Sequence, residues 1–118
     1  MAAKPGEAVI YHNPRCSTSR KTLDLLRDNG FKLDIVEYLK TPPSRGDLAK
    51  MIRDAGIDVR TATRKRESLY DELNLADATD DQLLDAMVEH PILIERPFVV
   101  TPKGTRLARP IDAVREIL

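Results

Sequence analysis

The sequence lacks tryptophan and has a single cysteine, Cys16, among its 118 residues. One cysteine excludes an internal disulfide, a CxxC redox pair and a zinc site built from several thiolates. Any redox reaction of Cys16 therefore needs a second thiol from another molecule. The two histidines, His12 and His90, are isolated and have no neighbouring carboxylate pattern, so we predict no metal site and assign no chemistry to His90.

The chain also lacks an excess of charge of either sign, because Lys and Arg total 19 and Asp and Glu total 19. A neutral protein has no overall attraction for nucleic acid or for an anionic membrane, and we expect neither as a partner. No apolar run is long enough to span a bilayer. Residues 1–7 carry charges and a Pro-Gly pair instead of the apolar stretch of a secretory signal. We expect one soluble domain, located in the cytoplasm.

The first part of the chain predicts a β-α-β unit. A β-rich run over 8–11 predicts a strand that ends at Pro14. Apolar residues then recur at helical spacing as far as Gly30, a typical residue after a helix C-terminus. Alternation of apolar and polar residues over 31–38 predicts a second strand. Three hydroxyl side chains are candidate N-caps for the helix: Ser17, Thr18 and Ser19.

The middle of the chain, 44–90, predicts a helical segment. Ser44 with Asp47 and Thr79 with Gln82 have the spacing of capping boxes, and each pair precedes apolar residues at helical spacing. The charged stretch between these two helices predicts shorter helical pieces.

The last part of the chain predicts a hairpin and a closing helix. Two short β runs, 98–100 and 105–108, flank a turn that contains Pro102 and Gly104. Pro110 suits the first turn of a helix. The order β-α-β, helices, β-β-α requires one mixed sheet of four strands flanked by helices, which is an α/β fold with a helical insertion at about 44–90.

Cys16 stands in a polar loop, 13–20, that leads into the first predicted helix. A lone cysteine is more often a small buried apolar residue than a nucleophile, but Cys16 belongs to no apolar stripe. A helix N-terminus and nearby arginines lower the pKa of a thiol, which is ordinarily about 8.5. The neighbouring side chains that carry a charge or a hydrogen-bond donor, and are candidates for stabilising a thiolate, are His12, Arg15, Ser17, Ser19 and Arg20.

Residues 12–20, His-Asn-Pro-Arg-Cys-Ser-Thr-Ser-Arg, resemble the active-site loop of the glutaredoxin-coupled, ArsC-type arsenate reductases, a branch of the thioredoxin-like fold. Segments 38–43, 90–97 and 99–110 resemble that family's segments in the same order, so the resemblance covers nearly the whole chain. It implies a single thioredoxin-like domain over residues 1–118. The resemblance is to the shorter relatives, so we expect no charged C-terminal tail of the kind that the best-known members carry, and Ser17 replaces the glycine that follows their cysteine.

The resemblance implies that Cys16 is the nucleophile and that three arginines assist it: Arg64, Arg96 and Arg109. Without the resemblance, Arg64 would be taken for a solvated surface charge, because it lies in a basic cluster. Arg96 precedes Pro97 where thioredoxin-like folds keep a cis-proline that faces the active-site cysteine. We therefore expect the Arg96–Pro97 bond to be cis.

The implied reaction is the reduction of arsenate. The Cys16 thiolate attacks arsenate, glutathione and glutaredoxin supply the reducing thiols, and arsenite is released. The expected partners are therefore arsenate, glutathione as co-substrate, and glutaredoxin. No bound cofactor is expected.

Two other functions remain open. One is a transcription regulator of the same fold that binds RNA polymerase, although Ser19 occupies the second position of the CxxC switch that such regulators often carry. The other is a monothiol, glutathione-dependent oxidoreductase that acts on mixed disulfides. That activity would not need Arg64 or Arg109.

Overall fold

The computed structural model describes residues 3–118, which divide into two compact units. The first unit combines the described residues up to Thr41 with Arg96–Leu118, and the second unit is Pro42–Glu95. The second unit corresponds to the helical segment predicted over 44–90. That both units belong to one domain stays a prediction.

The first unit contains a mixed four-stranded sheet. Its strands are β1 (Glu7–His12), β2 (Lys32–Glu37), β3 (Phe98–Thr101) and β4 (Gly104–Leu107). The spatial order is β2-β1-β3-β4, with β1 parallel to β2 and with β3 antiparallel to both β1 and β4. The predicted mixed sheet and its C-terminal hairpin are therefore confirmed.

Helix α1 (Ser17–Asp28) connects the parallel strands β1 and β2. It ends before Gly30, whose φ of 82° is the left-handed conformation that glycine adopts without steric cost. Leu26 of α1 packs into the core of this unit. One cluster of buried core residues in this unit comprises Ala8, Ile10, Leu26, Val99, Ala108, Val114 and Ile117.

The closing helix differs from its prediction in type. Residues Ile111–Ile117 form a 3-10 helix, and Pro110 precedes it in an extended conformation instead of occupying its first turn. The N–H of Ala113 donates to the carbonyl of Pro110 over 3.0 Å, which is the three-residue spacing of a 3-10 turn.

The second unit consists of short helices. They are α2 (Arg45–Asp54), α3 (Val59–Ala62), α4 (Ser68–Glu72) and α5 (Asp80–Glu89). The Ser44 hydroxyl accepts the N–H of Asp47 at 3.1 Å, and Thr79 and Gln82 form a reciprocal capping box at 2.9 and 3.3 Å. Both predicted helix starts are confirmed, as are the shorter helical pieces between them.

Candidate active site

Cys16 is the N-cap residue of α1 and is partly exposed. Its loop is held by Asn13, which is 4% exposed. The Asn13 carbonyl accepts the N–H of Cys16 at 3.0 Å, and its side-chain oxygen accepts the N–H of Arg15 at 3.0 Å. The sulfur therefore stands at the positive end of a 12-residue helix, where unpaired backbone N–H groups favour negative charge.

The prediction that a hydroxyl caps α1 is wrong, because Cys16 occupies the cap position and no side chain caps this helix. The Ser19 hydroxyl instead lies 2.7 Å from Nδ1 of His12 and accepts the N–H of Asn13 at 3.1 Å. Ser19 therefore contacts Cys16 through its backbone N–H, which is hydrogen-bonded to Cys16, and not through its hydroxyl as predicted. The hydrogen bonds among the buried residues His12, Asn13 and Ser19 fix the start of α1 against the end of β1.

Two of the predicted arginines lie at the sulfur. The Arg109 Nη2 atom is 3.5 Å from Sγ of Cys16, and its Nε donates to the carbonyl of Arg96 at 2.8 Å. Arg96 is 5% exposed, and its side chain is hydrogen-bonded to Cys16. The Arg96–Pro97 bond is cis, as expected, and the Arg109–Pro110 bond is also cis, which the sequence did not predict.

These contacts lower the pKa of Cys16 below that of an ordinary thiol. Burial is the largest single influence and acts to raise the pKa, because it disfavours the thiolate. The hydrogen bond from the Ser19 N–H, the charges of Arg109 and Arg96, and the Arg96 hydrogen bond together outweigh it. The site therefore places a partly exposed sulfur with a lowered pKa beside two guanidinium groups, an arrangement suited to binding a small oxyanion.

The other candidates from the loop are not among the leading groups that lower the pKa of Cys16. Arg15, Ser17 and Arg20 are exposed, and Nη1 of Arg20 donates to the carbonyl of Pro14 at 2.8 Å. The leading positive charges at Cys16 therefore come from distant positions in the sequence rather than from the loop itself. His12 is buried, and burial lowers its pKa, so the neutral imidazole predominates at pH 7.

Arg64 lies in the second unit and is not a solvated surface charge. Its guanidinium contacts two carboxylates, with Nε 3.1 Å from Oε1 of Glu67 and Nη1 3.2 Å from Oε1 of Glu95, and its side chain is 17% exposed. Sequence reasoning missed both glutamates. That Arg64 acts on the same substrate as Cys16 stays a prediction.

Within residues 3–118, no group of three or more His, Cys, Asp or Glu side chains converges so that it could hold a metal ion. None of the helices in this part of the chain is long and apolar enough to cross a bilayer.

Comparison with known proteins identifies the family. A model of the ArsC family matches residues 11–117. The chain belongs to the ArsC family. It is 56% identical over 112 residues to the arsenate reductase of Escherichia coli strain K12, and this match covers 93% of the chain and 79% of that protein.

Two further relatives match the chain over nearly their whole length. The uncharacterized protein YfgD of Escherichia coli strain K12 is 46% identical over 115 residues, which is 95% of this chain and 97% of that protein. A solved structure of the arsenate reductase from Vibrio cholerae superposes with a TM-score of 0.90 at 46% identity and covers 100% of both chains. The expected thioredoxin-like α/β fold is confirmed.

Proposed function

We propose that this ArsC-family chain is an arsenate reductase in which the thiolate of Cys16 attacks the arsenic atom. The observation that carries the proposal is the 3.5 Å contact between Nη2 of Arg109 and a partly exposed sulfur at the N-terminus of α1. Relatives that are 56% identical and named arsenate reductase support the choice of arsenate among small oxyanions.

The first step forms a sulfur–arsenic bond. The thiolate electron pair attacks arsenic(V), and one arsenate oxygen leaves as water after it takes a proton from solvent. Arg96 and Arg109 hydrogen-bond the remaining oxygens and balance their negative charge. A planar guanidinium is suited to this because it donates two parallel N–H groups to an oxyanion. Arg64 is proposed as a third arsenate-binding arginine on the strength of the family resemblance.

The next steps require two electrons, and each of two external thiols supplies one. Glutathione adds to the arsenic with loss of a second water and gives an adduct that joins both sulfurs through arsenic(V). The glutaredoxin thiolate then attacks the glutathione sulfur, forms a mixed disulfide, and leaves an electron pair on arsenic, which becomes arsenic(III). Water hydrolyses the Cys16–arsenic bond, releases arsenite and regenerates the thiol. The lone Cys16 is consistent with this route, because the chain has no second thiol to close a disulfide.

The test measures arsenite formation, with NADPH consumption followed through glutathione reductase and glutaredoxin. Cys16→Ser should abolish arsenite formation. Arg96→Ala should reduce kcat/KM by roughly 100-fold, as removal of one oxyanion-binding donor does in other enzymes. Arg115→Ala is the matched control and should behave as wild type, because the Arg115 side chain is exposed and its Nε contacts the exposed Asp112 at 3.0 Å.

The same assay separates the other functions. Turnover of a glutathione mixed disulfide that ignores arsenate and survives Arg96→Ala would replace the proposal with a monothiol oxidoreductase. An inactive wild type that binds RNA polymerase would replace it with a regulator. Activity that persists without glutathione, or with another dithiol protein in place of glutaredoxin, would retain the reductase and overturn the proposed thiol donors.

A further inference from the structure

Arg64 and Glu95 are brought together by a short antiparallel pairing in the second unit. Thr63 and Ile94 form an isolated β-bridge, and the N–H of Arg64 donates to the carbonyl of Leu93 at 2.7 Å. Successive side chains of paired strands alternate between two faces. Arg64 and Glu95 each follow a bridge residue, so both lie on the face opposite to Thr63 and Ile94, diagonally across the pairing.

The guanidinium of Arg64 forms ion pairs with two carboxylates, those of Glu67 and Glu95, through two different nitrogen atoms. Nε contacts Oε1 of Glu67 at 3.1 Å, and Nη1 contacts Oε1 of Glu95 at 3.2 Å. The three side chains are 17%, 27% and 16% exposed for Arg64, Glu67 and Glu95, so these ion pairs are largely shielded from solvent. A planar group that is bound at two of its three nitrogens has little freedom to rotate, while its remaining N–H groups can still bind another acceptor.

We propose that Glu67 and Glu95 are positioning residues that fix the guanidinium plane of Arg64 for a bound arsenate. The inference rests on the proposed function, in which Arg64 is one of the arsenate-binding arginines. A free arginine side chain loses several rotatable bonds when it binds a ligand, and this loss weakens affinity. An arginine that is already held by carboxylates has lost that freedom before the substrate arrives.

The carboxylates also exert an opposite effect, because their negative charge repels an anion. The two effects are separable by comparing Glu95→Gln with Glu95→Ala. Glutamine keeps a hydrogen-bond acceptor near Nη1 of Arg64 and removes the charge, whereas alanine removes both. Positioning predicts that arsenate affinity falls from wild type to Gln to Ala. Dominant charge repulsion predicts that both variants bind arsenate more tightly than wild type.

The experiment measures kcat and KM for arsenate in both variants, each made in the wild-type and the Arg64→Ala backgrounds. We expect Glu95→Ala to raise KM by about 3- to 10-fold, and Glu95→Gln to raise it less, with kcat nearly unchanged. In the Arg64→Ala background, both substitutions should change the KM for arsenate much less, because positioning by Glu95 requires the Arg64 guanidinium. Glu89→Ala is the control, since the Glu89 side chain is 77% exposed.

The outcomes distinguish the two proposals. Calorimetry of arsenate binding without thiols is run alongside, and Glu67→Gln replaces Glu95→Ala if that variant fails to fold. Tighter arsenate binding by the variants, unchanged affinity, or an equal effect in the Arg64→Ala background overturns the positioning role and leaves the reductase intact. A wild type that neither binds nor reduces arsenate overturns the proposed function itself.

Discussion

Arg109 supplies a leading positive charge at Cys16, and its removal should depopulate the thiolate. The Nη2–Sγ distance is 3.5 Å. Coulomb's law at this separation gives about 1.2 kcal/mol in a water-like dielectric and about 4.7 kcal/mol at an effective dielectric constant of 20. Because the sulfur is partly exposed, the water-like value is the better guide.

A free energy of about 1.2 kcal/mol corresponds to a roughly eightfold change in an equilibrium constant. Arg109→Ala should therefore lower the thiolate population about eightfold at a pH below the titration midpoints of both proteins. The difference should shrink at high ionic strength, because salt screens an exposed charge pair.

The assay is the ultraviolet absorbance of the thiolate as a function of pH, corrected with Cys16→Ser. Only one sulfur titrates, because the chain has one cysteine. Arg115→Ala is the matched control: Arg115 is exposed, lies outside the Cys16 loop, and contacts Oδ1 of Asp112 at 3.0 Å through its Nε. A wild-type midpoint at or above that of a free thiol, or equal midpoints for wild type and Arg109→Ala, would refute the reasoning.

Two other features give measurable expectations. Burial lowers the pKa of His12 in the folded state, so the contribution of His12 to the free energy of unfolding should be complete above about pH 6.5. That contribution should be lost as the pH falls through the lower folded-state pKa. Denaturation at several pH values measures this, and a free energy of unfolding that rises as the pH falls through this range would contradict it. Arg60 donates to Oη of Tyr70 at 2.8 Å and to the carbonyls of Leu75 and Ala78 at 3.0 and 2.6 Å. Arg60→Met should cost about 2–4 kcal/mol in urea denaturation, whereas exposed Arg53→Met should cost almost nothing, and equal values would contradict this account.

The sequence predicts the fold well because its signals are local. Alternation over 31–38 and the capping pairs at Ser44 and Thr79 depend on neighbours within one or two turns, and the structure has the strand and both helices there. The closing segment is less predictable, since a proline before apolar residues at helical spacing is compatible with either an α-helix or a 3-10 helix.

The site is predictable only in part because its contacts join distant residues. The loop sequence identifies Cys16, and the family resemblance selects Arg96 and Arg109, which the structure brings to the sulfur. The glutamates beside Arg64 could not be found this way. Glu95 is 31 residues from Arg64 in the sequence, and the Thr63–Ile94 bridge that brings the two side chains together has no local sequence pattern.

The most direct test of the central claim is whether arsenic becomes bonded to Cys16 during turnover. Wild-type protein is mixed with arsenate and glutathione in the absence of glutaredoxin, quenched rapidly, and examined by intact and peptide mass spectrometry. The account predicts an arsenic-containing glutathione adduct on the peptide that carries Cys16, and none on Cys16→Ser. Arsenite formation at equal rates in both proteins, with no arsenic on that peptide, would contradict it.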